Sequence, residues 1–143
     1  MLKTILIVDD DPDAVELFKL ALKEAGYATR TAKSGTEALS KAQQSPPDLV
    51  VLDVVLPDIN GLTVCERLRR DPATASVPVI LVTIVRGELP RLAGMEAGAD
   101  AYLNKPFQIE ELISRVASVL AGTNGRVFCP PRCPELMVRR ELA

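Results

Sequence analysis

Four predicted strands of this chain stop at residues that can do chemistry. Residues 4–8 run into Asp9, Asp10 and Asp11, and residues 49–52 run into Asp53. Residues 77–82 end in Thr83, and residues 100–103 end in Asn104-Lys105. Brought together, these ends offer carboxylates, one hydroxyl and one ammonium. Clustered carboxylates cannot all stay ionised without a counter-charge. Lys105 supplies one, and a hard divalent cation would supply the rest. Magnesium takes oxygen ligands and typically combines one or two carboxylates with phosphate oxygens. The donor set therefore points to Mg2+ and a phosphoryl group. Asp53 is the candidate nucleophile, forming an acyl phosphate by in-line attack. Asp10 and Asp53 are candidate metal ligands, with Asp9 helping directly or through water and Val55 adding its backbone carbonyl. Lys105 would neutralise one phosphoryl oxygen, and Thr83 would hydrogen-bond another.

The elements must bring those ends to one place. Residues 4–8 and 49–52 are apolar without interruption, the pattern of strands covered on both faces. A charge closing such a run is costly unless something pairs or uses it. The run after Asp53 continues through Val54, Val55 and Leu56, but Pro57 and Asn60-Gly61 make residues 54–60 an irregular loop. Asp11-Pro12 is a helix start, and Ala14, Phe18, Ala21, Leu22 and Ala25 follow at helical spacing, closed by Gly26. Residues 27–31 predict an edge strand, Ser34-Gly35 a turn, and residues 36–44 a helix with Ala38, Leu39 and Ala42 inward. Leu62, Cys65 and Leu68 share a helical face that ends at Asp71-Pro72. A further helix lies within residues 88–97, where Pro90 fits only the first turn and Gly94 weakens it. The last helix covers about residues 108–120, with Ile109, Leu112, Ile113, Val116 and Leu120 inward and Gly122 closing it. Five β-α units imply an α/β fold with a parallel, doubly wound sheet and right-handed crossovers. Five strands suit the order 2-1-3-4-5, whose switch point between strands 1 and 3 joins Asp9-Asp10 to Asp53.

Bulk properties narrow the class. The chain has 143 residues, 48% of them hydrophobic, enough for one domain with a full core. Its 17 basic and 19 acidic residues leave no nucleic-acid footprint over the whole domain. The charge is uneven: residues 122–143 carry Arg126, Arg132, Arg139 and Arg140 against Glu135 and Glu141. There is no histidine, which excludes a Ser-His-Asp triad, a Cys-His pair and a His metal ligand within one chain. Three cysteines (Cys65, Cys129, Cys133) are too sparse for a disulfide framework and fit a reducing compartment. No membrane span or signal peptide is recognisable, so the cytoplasm is expected. No Gly-rich loop follows the first strand, which disfavours nucleotide binding.

Each residue also has a plainer role. Asp11 is best explained as a helix cap. A lone lysine is usually solvated, threonine is ordinary at strand ends, Tyr102 fits a core, and Cys65 is a small buried apolar group. Only the set, at the ends of four strands, resists that explanation.

The set resembles the receiver domain of bacterial two-component response regulators. The matching stretches are residues 5–12, 47–57, 60–61, 78–83 and 98–107, and together they cover residues 1–121. By that resemblance the fold is flavodoxin-like, and Asp53 is phosphorylated by a sensor histidine kinase or phosphotransfer protein. Asp9 and Asp10 hold Mg2+, Thr83 and Lys105 complete the site, and Tyr102 follows Thr83 to alter the surface of helix 4, strand 5 and helix 5 for a downstream protein. The Lys105-Pro106 bond is expected cis. Kinase choice would rest on helix 1, making Ala14, Val15, Phe18 and Leu22 candidates. Such a protein is a phosphoacceptor rather than an enzyme, with no direct nucleic-acid or membrane contact, acting as a monomer or a phosphorylation-dependent dimer. Two features depart from the family: Ile84 stands where a small residue is usual, and Val55 and Val85 are both apolar, which implies slow loss of the phosphoryl group. A phosphohydrolase would carry a second acid where Val55 stands. Residues 122–143 have linker composition, with a possible short helix at residues 135–142. The chain is expected to be a stand-alone regulator; the alternative is a receiver fragment of a larger one.

Overall fold

The computed structural model describes residues 2–84 and 87–121. Five strands alternate with five helices: β1 (Thr4–Val8), α1 (Pro12–Glu24), β2 (Ala28–Ala32), α2 (Gly35–Gln44), β3 (Leu49–Asp53), α3 (Gly61–Arg70), β4 (Val79–Thr83), α4 (Glu88–Glu96), β5 (Ala101–Asn104) and α5 (Ile109–Ala121). The strands form one parallel sheet in the order β2-β1-β3-β4-β5. Fold and strand order are those expected from the sequence. Val85, Gly122 and residues 123–143, with Cys129, Cys133 and the tail arginines, lie outside the described residues.

Alternation along each strand divides the core into two layers. Leu6, Val8, Val50, Leu52 and Leu81 face α2 and α3 and pack with Ala38, Ala42, Val64, Cys65 and Leu68. Ile5, Ile7, Val51, Ile80, Val82 and Leu103 face α1 and α5 and pack with Phe18, Leu22, Leu112 and Val116. Every residue of β3 and β4 is buried, which is why those runs have no polar interruption. Each large apolar side chain so covered contributes roughly 1.5–3 kcal/mol. The edge strand β2 is only partly buried. Arg30 there donates to the carbonyls of Lys41 and Ser45, closing the end of α2.

Helix starts follow the capping chemistry of the sequence. Asp11 accepts from the Asp13 N–H at 3.0 Å, and Pro12 is the first helical residue. Ser34 accepts from the Glu37 N–H at 3.1 Å, so Ser34-Gly35 begins α2 rather than making a separate turn. Gly35 is needed there, since a Cβ would run into the side chains of Ile59 and Val64.

Several boundaries and faces differ from the expectations. β2 starts at Ala28 because Tyr27 belongs to the turn, its N–H donating to Leu22. β4 starts at Val79, since Val77 bonds back to Thr74 and Pro78 has no N–H. β5 is one residue later than expected because the Asp100 carboxylate turns away to the Val79 N–H and Arg69. Ala25 is exposed, as α1 has already ended. Val64 is buried in α3, a position the one-face pattern had passed over. Phe18 and Leu22 are 5% and 0% exposed, so they fill the core and do not present themselves to a kinase. The exposed apolar residues of α1 are Leu17 and Leu20.

Candidate functional site

The strand order places the ends of β1, β3, β4 and β5 side by side. β1 neighbours β3 with Val8 opposite Leu52, and β3 neighbours β4 with Asp53 opposite Val82. Thr83 and Asn104 are register partners on β4 and β5. The expected residues therefore share one edge, although up to 96 positions of sequence separate them.

Lys105 ties the edge together. Its Nζ lies 3.0 Å from Asp9 Oδ2 and 3.3 Å from Asp53 Oδ2. The Lys105–Pro106 bond is cis, as expected. Two contacts hold the segment in place. The Lys105 N–H donates to the Thr83 carbonyl at 2.8 Å. Phe107 stacks on Phe18 of α1, ring centroids 5.9 Å apart. Nothing in the local sequence around Phe107 marks this anchor, because Phe18 lies far away in the chain.

The carboxylates are oriented by local hydrogen bonds. Asp9 Oδ1 accepts from the Asp11 N–H at 3.0 Å, and Asp53 Oδ1 from the Val55 N–H at 3.0 Å. Asp9 is 2% exposed and Asp53 8%, whereas Asp10 is exposed. Burial raises the Asp53 carboxyl above its ordinary value and the neighbouring Asp9 charge adds to it, while the Val55 N–H and Lys105 oppose the rise. For Lys105 burial works against the ammonium. The hydrogen bond to Asp9 and the charges of Asp53 and Asp9 outweigh it, and its pKa is raised.

One carboxylate oxygen each from Asp9, Asp10 and Asp53 lies within 4.8 Å of the others. Three carboxylates face one ammonium, so the cluster retains net negative charge and hard oxygen donors. A divalent metal ion fits both. Asp11, by contrast, turns away to cap α1.

The remaining expected residues lie on or just after β3, β4 and β5. Thr83 is fully buried at the end of β4. Val55 and Ile84 are 56% and 68% exposed, apolar residues next to the carboxylate and the hydroxyl. Tyr102 is partly buried on β5 and packs on the α2–α3 layer. Its ring lies against α4 at Gly94, where an added Cβ would stand 3.0 Å from Tyr102 Cδ2 and 2.9 Å from Leu81 Cδ1. Gly94 is thus the contact through which α4 reaches β5, not merely a weak point in a helix.

Two residues important to the edge escaped the sequence reading. Gly61 presses on β3, since a Cβ there would meet the Asp53 carbonyl oxygen and stand 2.7 Å from Val54 Cα. Asp58 reaches the start of α2, accepting from the Gly35 and Thr36 N–H groups at 2.9 Å each. Asn60-Gly61 had signalled only a turn, and nothing local marked Asp58.

Comparison with known proteins agrees with this fold. The family model for the response regulator receiver domain matches residues 5–117. The chain is 43% identical over 120 residues to the DNA-binding dual master transcriptional regulator RpaA of Synechocystis sp., covering 84% of this chain and 50% of that protein. It is 42% identical to the alkaline phosphatase synthesis transcriptional regulatory protein PhoP of Bacillus subtilis, covering 84% and 49%. The chain spans about half the length of the curated relatives it matches. A putative response regulator from Chloroflexus aurantiacus superposes with a TM-score of 0.82 at 43% identity, covering 85% of this chain and 100% of that one.

Proposed function

Since this chain belongs to the family of response regulator receiver domains, we propose that it is a phosphorylation-operated switch whose phosphoacceptor is Asp53. One observation carries the reading: Lys105 Nζ bridges Asp9 and Asp53 at a buried strand edge. That arrangement costs folding energy unless a ligand uses it. Residues 1–121 form the receiver, and residues 122–143 are a tail or linker.

The chemistry follows from the groups present. The donor is a phosphohistidine of a sensor kinase or phosphotransfer protein. An Asp53 oxygen attacks phosphorus in line, the P–N bond breaks as the P–O bond forms, and the leaving imidazole takes up a proton. Asp9, Asp10, Asp53 and the Val55 carbonyl would hold Mg2+, which supplies positive charge to the phosphoryl oxygens when bound. Lys105 neutralises another phosphoryl oxygen, and the Thr83 hydroxyl donates to it or a neighbour. Drawing Thr83 toward the phosphoryl group frees space for Tyr102, whose ring contacts α4. The α4–β5–α5 surface then changes for a protein target. Loss of the phosphoryl group is slow, because Val55 and Val85, both apolar, offer no polar group to steer a water.

The test is labelling with a small phosphodonor and Mg2+. Wild-type protein is expected to take up label and Asp53→Asn none. Equal labelling of the two would refute the assignment. Once formed, the label should outlast a chase in Mg2+ buffer by more than seconds.

The switch is proposed to act through protein contacts alone. Among the described residues, no helix is long and apolar enough to cross a membrane. A second reading rests on the length of the relatives: residues 1–121 would be the receiver of a larger transcriptional regulator. The size of the protein in its own cells separates the two.

A further inference from the structure

The loop between β3 and α3 is held from outside the acidic pocket. Asp58 Oδ1 accepts from the Gly35 N–H at 2.9 Å and from the Ile59 N–H at 2.7 Å. Its Oδ2 accepts from the Thr36 N–H at 2.9 Å and from the Thr36 hydroxyl. The Thr36 hydroxyl and N–H, followed by the Gly35 and Ile59 N–H groups, hold this carboxyl far below the usual carboxylate range. Ile59 lies against Gly35, where no Cβ could fit. The first turn of α2 and the middle of the loop thus form one hydrogen-bonded unit.

We propose that Asp58 is a positioning residue for Mg2+: by docking residues 54–60 on the start of α2, it sets the place of the Val55 carbonyl. The inference rests on the Mg2+ reading above. Only Leu56 and Pro57 separate Val55 from Asp58. Pro57 has a fixed φ, and Leu56 packs against the α2–α3 layer, so little slack lies between them. The other end of the loop has separate ties, the Gly61 N–H to the Val54 carbonyl at 2.8 Å and the Val55 N–H to Asp53 at 3.0 Å. Release of Asp58 would therefore spare the carboxylates and Lys105 while loosening the carbonyl ligand.

Calorimetric titration with Mg2+ tests this on the full chain, comparing wild type, Asp58→Ala, Asp58→Asn and Thr36→Val. Asp58→Ala is expected to bind Mg2+ roughly tenfold more weakly, at the lower end of what losing support behind a metal ligand costs. Asp58→Asn keeps one carbonyl acceptor, and Thr36→Val keeps the backbone donors, so both should fall between. Phosphodonor labelling of Asp58→Ala should lag at limiting Mg2+, and the shortfall should close as Mg2+ is raised. Unchanged Mg2+ affinity in a folded Asp58→Ala protein overturns the proposal. So does a labelling defect that Mg2+ cannot close, since the pocket itself would then be damaged. If Asp58→Ala does not fold, Thr36→Val decides, and wild-type affinity in that variant overturns it. If wild-type protein takes up no Mg2+, the reading of the site fails first, a result distinct from wild-type binding with no effect of Asp58.

Discussion

At the scale of single residues, Asp53 is a buried anion whose surroundings disfavour its charge. Its carboxyl stands above the ordinary value of 3.8, chiefly through burial. A raised carboxyl binds its proton more tightly in the folded state. Its contribution to stability is therefore fully present below the ordinary value and is lost as pH rises through the folded value. At neutral pH without metal, ionised Asp53 costs stability. Asp53→Asn removes that charge and leaves Lys105 its 3.0 Å contact with Asp9. In chelator at pH 7 the variant should be more stable than wild type by about 1 kcal/mol, an ordinary single-site effect. The gap should shrink as pH is lowered toward the ordinary carboxylate value. Urea unfolding at several pH values measures it, and a less stable variant at pH 7 would contradict the account. Asp11 is a cap, Cys65 is a buried thiol pushed up to about 11 by desolvation, and Lys105 lies inside the acidic cluster.

At the scale of elements, the site depends on two close approaches made by glycines. Gly61 begins α3 directly against the end of β3, and Gly94 lets α4 lie on Leu81 and Tyr102. Helix propensity alone favours alanine over glycine by about 1 kcal/mol. At position 61 the steric term is larger, because the new Cβ meets backbone atoms of Asp53 and Val54 rather than a movable side-chain end. Gly61→Ala is expected to lose about 2 kcal/mol net, within the usual cost of overpacking. Labelling of Asp53 should slow as well, because the strand end itself must move. Unchanged stability with unchanged labelling would show that the helix can shift freely. The exposure of Leu89 at 79%, Leu92 at 44% and Met95 at 41% fits the same picture of α4, a helix held mainly through Gly94. The sequence marked both glycines as turn or weak-helix signals, since a close approach leaves no mark beyond the missing side chain.

At the scale of the whole molecule, Arg69 fastens one half of the edge opposite the site, as Asp48, accepting from the Thr4 N–H at 2.7 Å, fastens the other. Arg69 of α3 donates to the carbonyls of Gly98 at 2.9 Å, Ala75 at 3.2 Å and Val77, and pairs with Asp100 at 2.8 Å. It joins the segments that lead into β4 and β5. Asp100 also accepts from the Val79 N–H at 2.9 Å, so the pair is part of the sheet's entry. Arg69→Ala should cost about 3 kcal/mol, as for removing one partner of a buried ion pair. Labelling of the folded fraction should persist, because Asp53 lies at the far end of the strands. Loss of labelling without loss of stability would place Arg69 in the site instead. The sequence by itself determined the five β-α units, the parallel sheet and its order, and the carboxylates, hydroxyl and lysine at the strand ends. The units and their end residues follow from apolar periodicity and turn chemistry, which act over a few residues; the order follows from the arrangement usual for five-stranded doubly wound sheets. Tertiary structure alone decided that Lys105 bridges Asp9 and Asp53, that Phe107 anchors on Phe18, that Phe18 and Leu22 are core, and that Asp58 ties the loop after β3 to α2. Each of these joins residues distant in sequence, and such contacts exist only once the packed layers bring their elements within reach.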